Sequence, residues 1–292
     1  MNTIPVGKTI AFAYQFTLEN LGAIIGLIWL PTVAITVGGF FADTTYSAAV
    51  NAALQEGPSE AAGQAVISLL AWYLLSLMLS AMATTAVTRQ ALGLRKGPAF
   101  ISFSLGLPEF RVFGAIVLLI VVLLLITQPF RYMVSALAAA GGPGAAAFQG
   151  LASLLALGSL GFIFFVMVRL SFLMCPATIA ENAVGLARSW VLTRGNFWRI
   201  VGVGSCTLGP IFLIFGVGEY VILGPEFFFM GMNTTLTAAE QTKTAVEQQH
   251  IMIQHLPMLL GLSLLIAPFY FGLMLAPAAY AYRALTEAKP AV

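Results

Sequence analysis

Charge is what this chain has least of. Thirteen basic and eleven acidic residues make up only 8% of 292 positions, where soluble globular domains carry about a quarter. Sixty per cent of the residues are hydrophobic and the mean hydropathy is +0.95, which excludes the soluble class and implies a membrane protein. Cysteine is nearly absent. Cys175 and Cys206 both fall in apolar surroundings and read as packing thiols, since a disulfide framework needs more cysteines and aqueous loops. The two histidines, His250 and His255, are five residues apart, a spacing that does not put both rings on one helix face, and no HExxH pattern occurs. A phosphate-binding GxxxxGK[ST] loop is also missing. Gly202-Val-Gly204 lies in an apolar run and reads as a helix-packing motif. No serine reads as a nucleophile with a plausible histidine partner on its side of the membrane. No catalytic residue, cofactor, metal or nucleic-acid partner is therefore expected.

What the chain does have is long uncharged runs. A bilayer core about 30 Å thick takes roughly 20 apolar helical residues. Six stretches qualify: about 21–41, 65–88, 111–131, 151–175, 199–219 and 256–282. They are too long for barrel strands, and backbone groups in lipid must be satisfied within the segment, so each is expected to be a helix. The fold class is all-α integral membrane, with residues 1–292 as one polytopic domain. Pro31, Pro210, Pro268 and Pro277 lie inside these runs and are expected to kink the helices without ending them. The first run follows a polar stretch with Gln15, Glu19 and Asn20 and has no small-residue cleavage pattern, so it is expected to remain as a first span. A Gly-Gly-Pro-Gly turn at 141–144 separates the third run from the fourth.

Orientation follows from the basic residues. With the N-terminus inside, the inner segments hold Lys8, Arg89, Arg95, Lys96, Arg111, Arg169, Arg188, Arg194, Arg199, Arg283 and Lys289, and the outer ones only Arg131 and Lys243. Acidic residues lean outward: Asp43, Glu56, Glu60, Glu219, Glu226, Glu240 and Glu247. Both termini are thus expected in the cytoplasm.

A repeat runs through the pattern. Phe16–Gly22, Ser102–Arg111 and Ser189–Arg199 each carry an aromatic, a leucine and a polar break before a span, the breaks being Asn20, Glu109 and Asn196. The even-numbered spans end near Arg89, Arg169 and Arg283. A long fixed period implies repeated structural units. The expected unit is a cytoplasmic interfacial amphipathic helix followed by a transmembrane hairpin, in three parallel copies over 1–92, 93–175 and 176–285.

Residues 169–204 are the most informative. Pro176 suits a helix start, and Thr178–Arg194 is expected to form one amphipathic interfacial helix. Ile179, Ala183, Leu186 and Trp190 would fall on one face, with Glu181, Gly185 and Arg188 on another. Gly195-Asn196 supplies a turn, and Trp198 and Arg199 suit the headgroup layer. Arg169 stands about two turns inside the fourth run. It is expected either to snorkel or to pair with a carboxylate such as Glu181 or Glu109, or to hold a phosphate or carboxylate ligand.

Arg169-x-Ser-Phe, Pro176, Glu181 and Ala187-Arg-Ser-Trp-x-Leu-Thr-Arg-Gly-Asn-Phe-Trp-Arg199 resemble the membrane domain joined to some bacterial glycerophosphodiester phosphodiesterases and its free-standing relatives of the YciC type. The strong likeness spans about 35 residues. In that family catalysis belongs to a separate soluble barrel with a His-Arg-Gly signature. This chain has no such motif and no room for the barrel. The resemblance implies a non-catalytic bacterial inner-membrane module that supports lipid or envelope processes through membrane lipids or a membrane protein partner. A transporter or channel for a small solute is the alternative. The residues expected to form a lipid-binding or structural polar cluster are Arg169, Glu181, Arg188, Trp190, Asn196, Trp198 and Arg199.

Overall fold

The computed structural model describes residues 3–56, 60–95, 105–139, 145–230 and 238–287. The expected turn at 141–144, the first three residues of the second repeated motif, and Lys96 and Lys289 lie outside them. Among the described residues every regular element is a helix: α1 Val6–Glu19, α2 Leu21–Glu56, α3 Glu60–Ala91, α4 Leu107–Ala139, α5 Ala145–Ser171, α6 Met174–Ala180, α7 Leu186–Leu192, α8 Phe197–Leu223, α9 Pro225–Met230 and α10 Ala238–Thr286.

Six stretches of helix are long and apolar enough to cross a membrane: Leu21–Tyr46, Gly63–Ala91, Leu107–Ala139, Ala146–Ala180, Phe197–Leu223 and Val246–Thr286. They coincide with the six uncharged runs but extend further. The 49 residues of α10 would reach about 74 Å at 1.5 Å per residue. Hydropathy reports where lipid ends, while the backbone ladder continues through polar helix formers such as Glu, Gln and Lys. Pro31, Pro210, Pro268 and Pro277 all lie inside helices, as do Pro129 and Pro257.

α2 packs along α3, α4 along α5, and α8 along α10. Small residues allow close approach. A methyl group on Gly38 of α2 would collide with the Trp72 ring of α3, and one on Gly218 of α8 with Leu262 of α10. α1 lies against α8 and α10 through a buried face of Thr9, Ala13, Phe16 and Thr17. Exposed Lys8, Gln15 and Glu19 occupy its other side.

The core is concentrated at one end of the bundle. One cluster joins Phe16 of α1, Ile24 and Ile28 of α2, Val87 of α3, Ile211 of α8 and Leu273 of α10. A second joins Ala81, Val112, Val166, Leu170 and Cys175, and a third joins Ile4, Leu173, Ala177, Ile200 and Tyr282. Among the described residues the opposite half holds few buried side chains, Ala65, Ala152 and Ser159 among them. Its helices present Leu70, Leu125, Leu154, Leu157, Leu213 and Leu265 outward, as spans facing hydrocarbon do.

Helix α6 sits between the second and third clusters. Met174 through Ile179 are all buried, and the helix touches α3, α4, α5, α7 and α10. A helix apolar on every side is stable only when surrounded. The apolar residues after Arg169 are therefore not the tail of a lipid-facing span. The chain leaves α5 at Ser171 and turns into the packed end of the bundle.

Two expectations are corrected here. Thr178–Arg194 is not one helix: α6 ends at Ala180 and α7 begins at Leu186. Asn182 between them adopts φ 52°, a left-handed conformation that asparagine tolerates. Gly185 fits where a methyl group would lie 2.7 Å from both the Met174 carbonyl oxygen and the Thr178 nitrogen. Cys206 is not a packing thiol, since it is exposed, whereas Cys175 is buried in the second cluster.

The segments before the odd-numbered spans also differ from one another. The first is a 14-residue helix. The described part of the second begins at Leu105 and enters α4 at Leu107. The third is the α6–α7 pair.

Candidate functional site

The expected cluster is distributed over three stations along 169–199, all at the packed end. The first is Arg169, in the last turn of α5. Its guanidinium lies over the Trp190 ring, 3.8 Å from the centroid, and 5.5 Å from that of Phe165. Nη2 donates to the Trp190 carbonyl, and Nε donates to Thr193 Oγ1 at 3.4 Å. The Arg169 carbonyl accepts from Ser189 Oγ at 2.8 Å. Stacking on an aromatic face suits the planar, weakly hydrated guanidinium. The expectation of a carboxylate partner is not met, because Glu181 and Glu109 are engaged elsewhere. The Glu109 carboxylate accepts from the Gly106 amide at 3.0 Å and closes the start of α4, an N-terminal capping arrangement.

The second station is the turn between α6 and α7. Glu181 Oε1 accepts from Arg188 Nε at 2.8 Å and from Tyr282 Oη at 3.0 Å. The pair is about half exposed, 46% and 35%, so it is worth at most about 1 kcal/mol. Thr178 Oγ1 accepts from the Gly185 amide at 3.0 Å and donates to the Met174 carbonyl at 2.7 Å, which ties the turn to α6. Arg111 Nη1 donates to Asn182 Oδ1 at 3.0 Å, joining the turn to α4.

The third station joins the N-terminal arm to the start of α8. Asn196, buried, accepts from the Ile4 amide through Oδ1 at 3.1 Å, and Arg199 Nη1 donates to the Ile4 carbonyl at 3.0 Å. The Ile4 side chain is fully buried against Leu173, Ala177 and Ile200. Trp198 is 78% exposed.

Glu181 and Arg188 thus come together, as do Arg169 and Trp190, and Asn196 and Arg199 share one backbone partner. The Trp198 ring stands edge-on to that of Phe197, with the centroids 5.1 Å apart. Sequence reasoning missed Ile4, Tyr282, Arg111 and Asn182. Ile4 and Asn196 are 192 residues apart, and Glu181 and Tyr282 are 101 apart. Only Arg283, next to Tyr282 in sequence and one of the arginines that end the even-numbered spans, points toward one of them.

Basic groups gather at this end. Arg283 lies 5.4 Å from the Phe12 ring centroid. Partial burial, and then the like charge of Arg89, lower the Arg95 guanidinium from its ordinary pKa. Arg188, Arg194 and Arg199 are exposed, and so are Trp190 and Trp198. Chemically this is a rim of cationic donors and amphipathic rings around a hydrogen-bonded interior, an arrangement suited to anionic headgroups. Among the described residues no three His, Cys, Asp or Glu side chains are grouped to hold a metal ion.

Cavities lined by described residues open on the bundle. One of about 620 Å³ lies between α2, α8, α9 and α10 in the loosely packed half, another of about 350 Å³ lies between α1, α8 and α10, and a third of about 440 Å³ lies between α2 and α10. Arg169 lines none of them. No protein-family model, curated protein or solved structure matches this chain.

Proposed function

We propose that this chain is a non-catalytic module of the bacterial inner membrane. It supports lipid or envelope processes by holding anionic lipid headgroups, or a membrane partner, at its basic end. The observation that carries the reading is the exposed rim of Arg188, Arg194, Arg199, Trp190 and Trp198 seated on a buried interior. Each basic residue near an anionic surface is worth about 1 kcal/mol. The resemblance of 169–204 to the membrane domain of the phosphodiesterase family favours the same role.

In this reading the basic end faces the cytoplasm, with 11 basic residues inside and 2 outside. The spans form three hairpins, α2 with α3, α4 with α5, and α8 with α10, each behind a surface segment, in repeats over 1–92, 93–175 and 176–285. Both termini are cytoplasmic, so a reporter fused after Lys289 is active only inside, and periplasmic activity refutes the orientation.

The binding test uses protein extracted into polymer nanodiscs. Mass spectrometry is expected to find anionic phospholipid enriched over the surrounding membrane. Combined Arg188→Gln, Arg194→Gln and Trp198→Ala changes are expected to remove the enrichment while the protein stays monodisperse. Retained lipid that matches the bulk membrane in both proteins would refute lipid holding.

A further inference from the structure

The largest of the three cavities differs from the others in kind. The 350 Å³ cavity is lined by Tyr14, Thr17 and apolar residues, and the 440 Å³ cavity by Thr32 and apolar residues. Neither has a charged side chain. The 620 Å³ cavity is lined by Glu219, by polar residues that include Thr44, Tyr46, Gln248 and Gln249, and by an apolar wall with Phe215 and Met252.

Glu219 stands four residues from the end of a span, Phe197–Leu223, and is the one charged side chain among the described residues that line the cavity. No lysine or arginine lines the cavity among the described residues. The surrounding sequence from 219 to 255 reinforces the sign, with Glu219, Glu226, Glu240 and Glu247 against Lys243 alone. Gln248 Nε2 is already engaged, donating to the Phe227 carbonyl at 3.2 Å. Ligand pockets typically enclose about 300–1,000 Å³, are mostly apolar, and carry a few polar groups that fix orientation. A chamber of this size with one carboxylate, several uncharged polar groups and an apolar wall selects a hydrophobic body with one cationic head.

The geometry points to a binding site for a lipophilic amine, its ammonium on Glu219 and its hydrocarbon along Phe215 and Met252. A phosphate-bearing lipid is disfavoured, since its anion would face Glu219 with no cation to balance it. The site lies about 30 Å along α8 from Arg199 at 1.5 Å per residue. It is therefore separate from the basic rim, and it stands whether or not the rim binds lipid.

The test is isothermal titration of dodecylamine into the full-length protein in phosphatidylcholine nanodiscs, with empty discs subtracted. Dodecanol serves as the uncharged comparison. Saturable binding of dodecylamine is expected, about tenfold tighter than dodecanol, the worth of one charge-assisted hydrogen bond. Glu219→Gln keeps the shape and is expected to erase that preference. Leu260→Trp, which fills the chamber from α10 and leaves the carboxylate in place, is expected to abolish binding of both compounds. Equal binding of amine and alcohol to the unaltered protein would reduce the site to a hydrocarbon cleft and overturn the proposal. So would a preference that survives Glu219→Gln, or dodecylamine binding that survives Leu260→Trp in a protein that elutes as the unaltered one does.

Discussion

Replacing Gly185 by alanine tests the turn that organises the second station. The φ of Gly185 is −82°, so alanine meets no conformational barrier there. The obstacle is space. The new methyl carbon would lie 2.7 Å from the Met174 oxygen, 2.7 Å from the Thr178 nitrogen and 2.8 Å from Thr178 Oγ1. Two of these three atoms are backbone of α6, which is buried on all sides, so relief requires moving a helix rather than rotating a side chain. Overpacking of this kind costs about 1–3 kcal/mol. Loosening the Gly185 amide bond to Thr178 adds about 1 kcal/mol. The expected destabilisation is thus about 2–4 kcal/mol, read as a lower temperature at which the detergent-solubilised protein ceases to be monodisperse. Gly202→Ala is the control. Gly202 lies inside α8 with nothing within 4 Å of the added carbon, and helix propensity there favours alanine by about 0.5–1 kcal/mol. The two substitutions should therefore move stability in opposite directions. Adding Thr178→Ala to Gly185→Ala should not restore stability, because the backbone atoms remain. Rescue by that change, or a Gly185→Ala protein as heat-resistant as the unaltered one, would refute the reasoning.

Two further outcomes follow from the other stations. Arg169→Lys keeps the charge but loses the planar stack on Trp190 and the forked donors; it should cost about 1–2 kcal/mol and shift tryptophan emission, and unchanged emission and melting would show the stack to be idle. Asn196→Ala leaves the buried Ile4 amide without the acceptor it has now, a loss of about 1–3 kcal/mol; limited proteolysis should then cleave the arm before α1 faster, and an unchanged cleavage rate would count against the clamp.

The candidate site was legible in part. Arg188 lies seven residues from Glu181 and the sequence puts both on one face, but it offers Glu181 to Arg169 and not to Arg188. The sequence also carried the signal that breaks Thr178–Arg194, because asparagine and glycine at 182 and 185 are residues that turns favour. The apolar spacing of Ile179, Leu186 and Trp190 outweighed it in a reading by helical faces. Arg169 is legible as an unusual charge, but the sequence offers it carboxylates as protein partners. An aromatic face and a backbone carbonyl are partners that sequence spacing does not advertise.

Local hydropathy and charge suffice for the six apolar helices and for the end of the bundle that is basic. Partition into hydrocarbon is close to a sum over neighbouring residues, so a local window suffices for it. Tertiary structure alone decided that Met174–Ala180 is a buried element between clusters, that Ile4 is held by Asn196 and Arg199, and that Tyr282 completes Glu181. Those contacts join residues about 100 to 200 positions apart. Whether a buried amide or carboxylate is satisfied depends on what long-range packing brings within 3 Å of it, which no local window contains.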